Sequence, residues 1–466
     1  MASTRVITLV VASALFMENL DGTVIATSLP AIALDLQVDP IILKLAFTAY
    51  LVALAIFIPI SGWCADRFGA LTVFRAAIGV FILSSIGCAM ADSLTTLVTA
   101  RFAQGMGGAM MVPVGRLIIL RVVTKAELLN AMAWLTIPAL VAPVIGPPLG
   151  GFITTYIDWT WIFWLNVPIG IVGIVIASFV IPQIRADHSP PLDIWGFLMS
   201  GFGLSSLIFG FTLVGRDLLP EWTVFAMIAG GGALVALYVV HARRAAHPIL
   251  DLSLLRVATF RMSVGAGFLF RIGIGAIPFL LPLMLQLAFG LSPFASGMLT
   301  FAAAAGALTM KFTAAPILRR FGFRHVLVVN TLISAGLLGA IALFTTQTPH
   351  LVIVAVLLAG GFFRSLQFTS LNALAYSDIE PDRMSRATSF AAAAQQLSLS
   401  LGVAFAAMVL EASQAIRGSQ DLVTADFAAG FAAVALLSSL PFLLFLRLAP
   451  DAGAEVSGHR PPVRSD

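Results

Sequence analysis

The chain has 466 residues, of which 59% are apolar and only 10% are Asp, Glu, Lys or Arg, and its formal net charge is +4. A soluble domain carries about 25% charged residues, so a soluble protein of this composition could not cover its surface. The bilayer must therefore be its main solvent. The numbers exclude a disordered chain and a cytosolic enzyme, and the two cysteines exclude a disulfide scaffold.

Apolar stretches long enough to span a bilayer recur along the whole chain. A spanning helix needs about 20 residues, and fourteen stretches qualify: 6–27, 43–63, 73–91, 96–119, 131–154, 160–181, 194–214, 222–241, 260–287, 294–315, 326–346, 350–374, 388–411 and 425–447. We expect an all-α integral membrane protein with fourteen spans. Because the first stretch continues past Asp21 to Pro30, it is interpreted as a membrane helix and not as a signal peptide.

The basic residues are distributed unevenly about these spans. With both termini in the cytoplasm, 20 of the 26 Lys and Arg residues lie inside and three lie outside. The remaining three, Arg101, Arg271 and Arg364, lie within spans. This positive-inside pattern predicts a multi-pass protein of the cytoplasmic (inner) membrane with both termini cytoplasmic. It also accounts for the basic charge without a nucleic-acid partner.

A short loop sequence occurs twice. Asp66-Arg67-Phe68-Gly69 follows the second span, and Arg319-Arg320-Phe321-Gly322 follows the tenth at an offset of 253 residues. Unless this similarity is chance, it indicates two related six-helix halves, 1–185 and 257–466, with a two-helix insert at 186–256. Such duplication is typical of transporters in which two bundles rock around a central site.

The first span contains two carboxylates. Asp21 lies about 22 Å above the inner end of its helix, and Glu18 lies one turn below it on the same face. A charge at this depth is costly and usually faces a polar cavity, and neighbouring carboxylates suit reversible protonation. The alternative for Glu18 is a hydrogen bond to a neighbouring helix or a side chain that extends to the membrane surface.

The fourth span contains Arg101 in the stretch Arg101–Gly108. Arg101 lies about 8 Å below the outer face, which is the depth of Asp21. An ion pair between them would hold Asp21 ionised until a proton or cargo displaces the arginine, which itself stays protonated. No strand precedes the glycines of this stretch, so they indicate close helix packing and not a dinucleotide loop.

These stretches resemble motifs of the major facilitator superfamily, specifically its fourteen-span drug:proton antiporter class. The resemblance covers nearly the whole chain and rests on four segments: Leu20–Pro30, Gly62–Arg75, Arg101–Gly108 and Ala142–Gly151. It implies the major facilitator fold, with two six-helix bundles plus two inserted helices. It also implies a monomeric transporter that uses protons, a small-molecule substrate and the lipid bilayer, with no cofactor, metal or enzymatic activity.

Two of the segments imply moving parts. The loop residues Gly62, Asp66, Arg67, Gly69 and Arg75 are those of a conformational latch in the family, although a solvated turn that only sets topology is the alternative. Ala70 and Leu71 stand where the family has basic residues, which weakens the latch. The fifth span resembles the antiporter motif and implies a tightly packed gate in an exporter, formed by Pro143, Gly146, Pro147, Gly150 and Gly151.

Further polar side chains within spans are candidates for the substrate cavity: Gln104, Arg271, Gln286, Arg364, Gln367 and Asn372. Arg271 lies near the midplane, where transporter sites cluster. The main hypothesis is a proton-coupled exporter of small lipophilic or drug-like compounds. Since three intramembrane arginines outnumber the two acids, the alternative is an exporter of an anionic metabolite, such as an organic acid or its metal complex. The arginines could instead only bond helices together.

Overall fold

The computed structural model describes residues 4–122, 125–185, 191–213, 219–380, 383–418 and 421–459. Within these ranges the chain is almost entirely helical and contains no β-strand. The predicted all-α membrane fold is confirmed. Thirteen helices of the described chain are long and apolar enough to cross a bilayer.

Eight long helical segments precede residue 250, and six follow it. The first eight are α1 Thr4–Asp35, α2 Lys44–Phe68, α3 Ala70–Ala89, α4 Leu94–Val122, α5 Lys125–Tyr156, α6 Trp161–Val180, α7 Ile194–Leu213 and α8 Glu221–Ala242. The other six are α9 Ala258–Ala288, α10 Pro293–Lys311, α11 Ala314–Ile341, α12 His350–Tyr376, α13 Met384–Arg417 and α14 Thr424–Phe445. The helix α5 is 32 residues long and occupies the predicted fifth span, although some of its side chains lie outside the described ones.

The two repeated Phe-Gly turns adopt related backbone conformations. Gly69 lies between α2 and α3 with φ +91°, and Gly322 lies inside α11 with φ +72°. Positive φ is readily available only to glycine, which explains why this residue type stands at both turns. The predicted end of the tenth span at 315 is displaced, because α10 ends at Lys311 and α11 begins at Ala314 and continues through Gly322.

The chain forms two compact units. The first comprises Met1–Ile249 with Leu291–Gly297, and the second comprises Leu250–Gly290 with Met298–Asp466. In the first unit α1 packs against α4, α5 and α6, and α3 packs against α4 and α6. The second unit repeats these pairs eight helices later, with α9 against α12, α13 and α14, and α11 against α12 and α14.

The helices α7 and α8 pack against each other, and α7 also packs against α2 of the same unit. The division into 1–185, 186–256 and 257–466 stays a prediction. Its first boundary adjoins residues 186–190, which lie outside the described chain.

The helix α2 supplies a large part of the interior of the first unit. Its residues from Lys44 to Ile56 are all buried. Tyr50 lies in the middle of this buried stretch and is 4% exposed. Because α2 packs against α4, the ring of Tyr50 is directed toward the helix that contains Arg101.

Candidate functional site

The centre of the first unit contains an ion pair between Asp21 of α1 and Arg101 of α4. Arg101 Nη1 lies 2.6 Å from Asp21 Oδ2, and Arg101 is 1% and Asp21 is 3% exposed. The pair predicted from equal depth is therefore present. A buried pair of this kind is costly to form and more costly to break, because removal of one partner leaves an isolated charge in the interior.

Two amide side chains complete the coordination of the Asp21 carboxylate. Gln104 Nε2 and Asn166 Nδ2 each donate to Asp21 Oδ1 at 2.9 Å. Both amides also approach Ser85 Oγ, at 2.8 and 3.3 Å, and all three side chains are buried. Arg101, Gln104 and Asn166 thus all donate hydrogen bonds to the Asp21 carboxyl oxygens.

The same network fixes Arg101. Its Nη1 also donates to Gln104 Oε1, which orients the amide so that its nitrogen faces Asp21. The guanidinium lies 4.3 Å from the centre of the Tyr50 ring and 5.8 Å from that of Phe163. These distances are within the range of cation–π contacts, so Arg101 is held by an ion pair on one side and by aromatic rings on another.

Glu18 lies outside this network, although it is only one turn from Asp21. It is half-buried, and its Oε2 atom is buried without a hydrogen-bond partner among the described residues. The charged groups close enough to act on it are Arg116 and Asp21. The two carboxylates of α1 therefore have different surroundings.

The glycines of the Arg101–Gly108 stretch allow close packing. A Cβ atom at Gly105 would lie 2.5 Å from the carbonyl oxygen of Tyr50, and one at Gly107 would lie 2.8 Å from that of Ala77. Since real Cβ atoms do not approach backbone so closely, these positions must be glycine for α4 to pack against α2 and α3.

The glycines of the segment Ala142–Gly151, which resembles the antiporter motif, pack α5 against the turn of α1 that follows Asp21. A Cβ atom at Gly146 would lie 2.9 Å from Thr23 Cβ, and one at Gly150 would lie 2.5 Å from the Val24 carbonyl oxygen. Gly151 faces Phe294, which belongs to the same unit. The prolines Pro143 and Pro147 lie inside α5, which remains helical through them.

At the end of α2, Asp66 pairs with Arg121 of α4 at 2.6 Å. Both side chains are about one-third exposed, and Arg67 and Arg75 are exposed. Gly62 is exposed as well, whereas Gly69 is buried and ends the helix α2 at its positive φ. In the sequence Arg121 is only one of the basic residues that set the membrane topology, and its pairing with Asp66 was not predicted.

The second unit contains Arg271 of α9, which is 3% exposed. Its Nη2 donates to Asn372 Oδ1 at 3.1 Å, its Nη1 is 3.5 Å from the Ser263 carbonyl oxygen, and it lies 5.5 Å from the Phe368 ring centre. Its Nε atom is buried without a partner among the described residues. Arg364 of α12 is half-buried, and no acidic side chain of the described chain pairs with it or with Arg271.

The other cavity candidates are not gathered around Arg271. Gln367 donates to Thr331 Oγ1 at 2.7 Å and accepts from Asn330 at 2.8 Å, so it joins α11 to α12. Gln286 lies 15 residues beyond Arg271 on α9, about 22 Å along the helix. Gln104 belongs to the Asp21 network.

Three partners in the first unit were missed by the sequence analysis: Tyr50, Ser85 and Asn166. A lone Asn in the apolar stretch of α6 was the available signal, since a polar side chain within a span needs a partner. Among the described residues no group of three His, Cys, Asp or Glu side chains could hold a metal ion.

A two-unit array of membrane helices with a buried ion pair is the architecture of a secondary transporter. A family model described as Major Facilitator Superfamily matches residues 11–260 and 263–464. The chain belongs to the major facilitator superfamily.

Its relatives include multidrug resistance protein MdtD of Salmonella paratyphi A and of Salmonella typhimurium. Each is 35% identical over 447 residues, which cover 95% of this chain and 94% of the relative. Among solved structures, a D-xylose-proton symporter matches with a TM-score of 0.69 and 15% identity, over 96% of this chain and 98% of that one. The structural likeness supports the fold.

Proposed function

We propose that the protein is a proton-coupled antiporter that exports small lipophilic or drug-like compounds across the cytoplasmic membrane by alternating access. The observation that supports proton coupling is the buried ion pair of Asp21 and Arg101. The name of the MdtD relatives supports a drug-like cargo, and the 20 to 3 distribution of basic residues supports cytoplasmic termini.

In this proposal Asp21 binds the transported proton. Ionised Asp21 accepts from Arg101, Gln104 and Asn166, and all three donors favour the charge. When Asp21 is protonated, Arg101 loses its counter-ion inside the membrane and that arrangement loses several kcal/mol. The two protonation states therefore favour different side-chain arrangements, which is what exchange of a proton for cargo requires.

Two other parts of the first unit contribute to the proposed transport cycle. The packing of Gly146 and Gly150 against Thr23 and Val24 places the antiporter segment directly behind the turn of α1 that carries Asp21. We propose that this segment forms the gate and that the Asp66–Arg121 pair contributes to the latch. The protein acts as a monomer of two six-helix bundles, 1–185 and 257–466, with an insert at 186–256.

The test is transport by the purified protein in proteoliposomes with an imposed pH gradient. Asp21→Asn keeps the size of the side chain and removes the titratable group, so we expect gradient-driven transport to be abolished while the protein stays folded. Asp92→Asn in an exposed loop is the matched control and should transport as wild type does. Unchanged gradient-driven transport by Asp21→Asn would reject the assignment.

A second candidate function is proton-coupled export of an anionic metabolite, such as an organic acid or its metal complex. It is favoured by Arg271 and Arg364, which have no acidic partner in the described chain. A thermal-shift panel of lipophilic cations and polycarboxylates separates the two candidates. Stabilisation by the polycarboxylates alone, lost in Arg271→Ala, would favour the anionic cargo.

A further inference from the structure

A cavity of about 950 Å³ lies in the second unit, where three of its membrane helices begin or end. Its walls are the first turns of α9, the two residues that follow α12, and the end of α14 with the chain beyond it. All of these segments belong to the second unit, so the cavity is separate from the Asp21 network. A cavity of this size is large enough for a small molecule or for the head group of a lipid.

One face of α9 forms a wall of this cavity. Residues three or four apart lie on the same face of a helix, and the lining residues of α9 follow this spacing: Ala258, Arg261, Met262, Gly265 and Ala266. The wall extends about 12 Å along the helix. A Cβ atom at Gly265 would meet nothing within 4 Å. Because Gly265 has no side chain, space stays open inside the span.

The lining is apolar at its base and charged at its mouth. Ala266 and Leu448 are 2% and 5% exposed and belong to one hydrophobic cluster of the second unit. The charged residues of the lining are all exposed: Arg261, Asp378, Arg447, Asp451 and Glu455. In the proposed topology α9 begins and α14 ends at the cytoplasmic surface, so the charged mouth lies at the level of the lipid head groups. An occupant that matches both parts of the lining is an amphiphile.

The charges at the mouth have both signs and are available to a ligand. Within the described chain the side chains of Arg447, Asp451 and Glu455 form no ion pair. Arg261 uses Nη1 to donate to the Leu255 carbonyl oxygen at 3.3 Å, which leaves its other N–H donors. A guanidinium binds phosphate and a carboxylate binds ammonium, so a head group that carries both would use both signs.

The wall that follows α14 is held in place by α11. Gly453 has φ +67°, and a Cβ atom there would lie 2.7 Å from Phe323 Cδ2. Farther along the chain, His459 Nδ1 lies 3.1 Å from the Arg319 carbonyl oxygen, beside the Phe-Gly turn at Gly322. Because these contacts fix the wall, the cavity is preformed and a ligand does not have to order the chain in order to bind.

We propose that the cavity binds a phospholipid of the cytoplasmic leaflet whose head group carries a phosphate and a primary ammonium group. Arg261 and Arg447 bind the phosphate. Asp451 and Glu455 accept hydrogen bonds from the ammonium group, and the apolar base beside Gly265 contacts the acyl chains. The inference goes beyond the proposed function and does not depend on it, because no residue of the cavity takes part in the Asp21 network.

Four probes test the inference: the dioleoyl forms of phosphatidylethanolamine, phosphatidylcholine and phosphatidylglycerol, and glycerophosphoethanolamine, which is the first head group without acyl chains. Native mass spectrometry of the full-length protein in detergent measures the affinity for each. We expect the ethanolamine lipid to bind at least about tenfold more tightly than the choline lipid, which has no N–H, and than the glycerol lipid, which has no cation. Glycerophosphoethanolamine should bind at least about a hundredfold more weakly, because it buries no apolar surface.

Two variants localise the binding. Gly265→Leu fills the base of the cavity, and Arg447→Gln removes one phosphate partner. Each should lower the affinity for the ethanolamine lipid at least about fivefold. The matched controls are Gly336→Leu, at an exposed glycine of α11 whose Cβ atom would also meet nothing within 4 Å, and Arg243→Gln, at an exposed arginine after α8. Both controls should bind the lipid as wild type does.

Equal affinity of wild type for the three dioleoyl lipids overturns the inference, because the head group would then not be recognised. A preference for the ethanolamine lipid that persists in both Gly265→Leu and Arg447→Gln also overturns it, since the lipid would bind elsewhere on the protein. If glycerophosphoethanolamine binds as tightly as the lipid, the ligand is the free head group and the lipid is rejected as its source.

Discussion

Arg101 and Arg271 are both almost completely buried in membrane helices, yet their surroundings differ. Arg101 has a carboxylate at 2.6 Å, a glutamine oxygen and two aromatic rings. Arg271 has one neutral amide, one carbonyl oxygen at 3.5 Å and one ring. The Nε atoms of both arginines have no partner in the described chain. Burial is thus matched by charge compensation for Arg101 and not for Arg271.

The difference separates two uses of a buried arginine. In a compensated pair, protonation of the carboxylate removes its strong ionic interaction with the arginine. Such a pair suits the coupling of proton binding to transport. An uncompensated guanidinium retains the capacity to bind an anion, because its remaining N–H donors are not used. The first unit therefore supplies the candidate proton site, and the second supplies the observation behind the anionic alternative.

The largest expected effect is the difference in the free energy of unfolding between variants of the two arginines. Arg101→Met leaves Asp21 buried without its counter-ion and should lower the free energy of unfolding by about 3–5 kcal/mol. Arg271→Met leaves only neutral groups behind and should lower it by about 1 kcal/mol. Denaturation of the two purified variants in the same detergent measures the contrast.

The double variant of Asp21→Asn and Arg101→Met provides the control. It removes both charges, so it should be more stable than Arg101→Met alone. Equal losses in Arg101→Met and Arg271→Met would show that the compensation seen in the first unit does not determine stability.

The sequence predicted the membrane helices, thirteen of which are confirmed in the described chain, and the Asp21–Arg101 pair, because hydropathy reports depth and both residues have the same depth. It could not predict Ser85 or Asn166 as partners, since side chains of α3 and α6 meet Asp21 only when the rotation of each helix is known. For the same reason Gln104 and Gln367 were assigned to a cavity, whereas each bonds neighbouring helices. Depth is a one-dimensional property, and a site depends on the direction of each side chain.

An intermediate effect concerns how α5 approaches α1. Gly150→Ala would place a Cβ atom 2.5 Å from the Val24 carbonyl oxygen, so the two helices must separate. We expect a loss of about 1–3 kcal/mol in stability together with reduced transport. Gly22 is the control on α1, because a Cβ atom there meets nothing within 4 Å.

Alanine also has the higher helix propensity, so Gly22→Ala should be neutral or stabilising by up to about 1 kcal/mol. Thermal unfolding and proteoliposome transport of both variants measure the difference. If Gly150→Ala behaves like Gly22→Ala, close packing of α5 behind Asp21 is not needed for transport, and the proposal that this segment forms a gate is wrong.

The smallest expected effects on stability come from two carboxylates. Asp66 belongs to a partly exposed ion pair of the first unit, and Asp251 is buried in the second. Asp66 and Arg121 are about one-third exposed, so Asp66→Asn should change stability by about 0.5 kcal/mol.

Asp251 precedes α9, is 8% exposed, and accepts from Ser253 and Arg383. Burial alone would raise the pKa of Asp251, but these hydrogen bonds and the nearby arginine outweigh it and lower that pKa below its usual value.

A carboxylate whose pKa is lower in the folded state stabilises that state above its unfolded pKa, and this contribution is lost as the pH falls through the folded pKa. Asp251→Asn retains a residue that can accept from the Ser253 backbone and loses the charge opposite Arg383. Wild type should therefore be more stable than Asp251→Asn by about 1 kcal/mol at neutral pH, and the difference should shrink as the pH falls below about 4. Thermal unfolding of both proteins from pH 7 to pH 3 measures this, and a difference that persists at pH 3 would assign the effect to packing and not to charge.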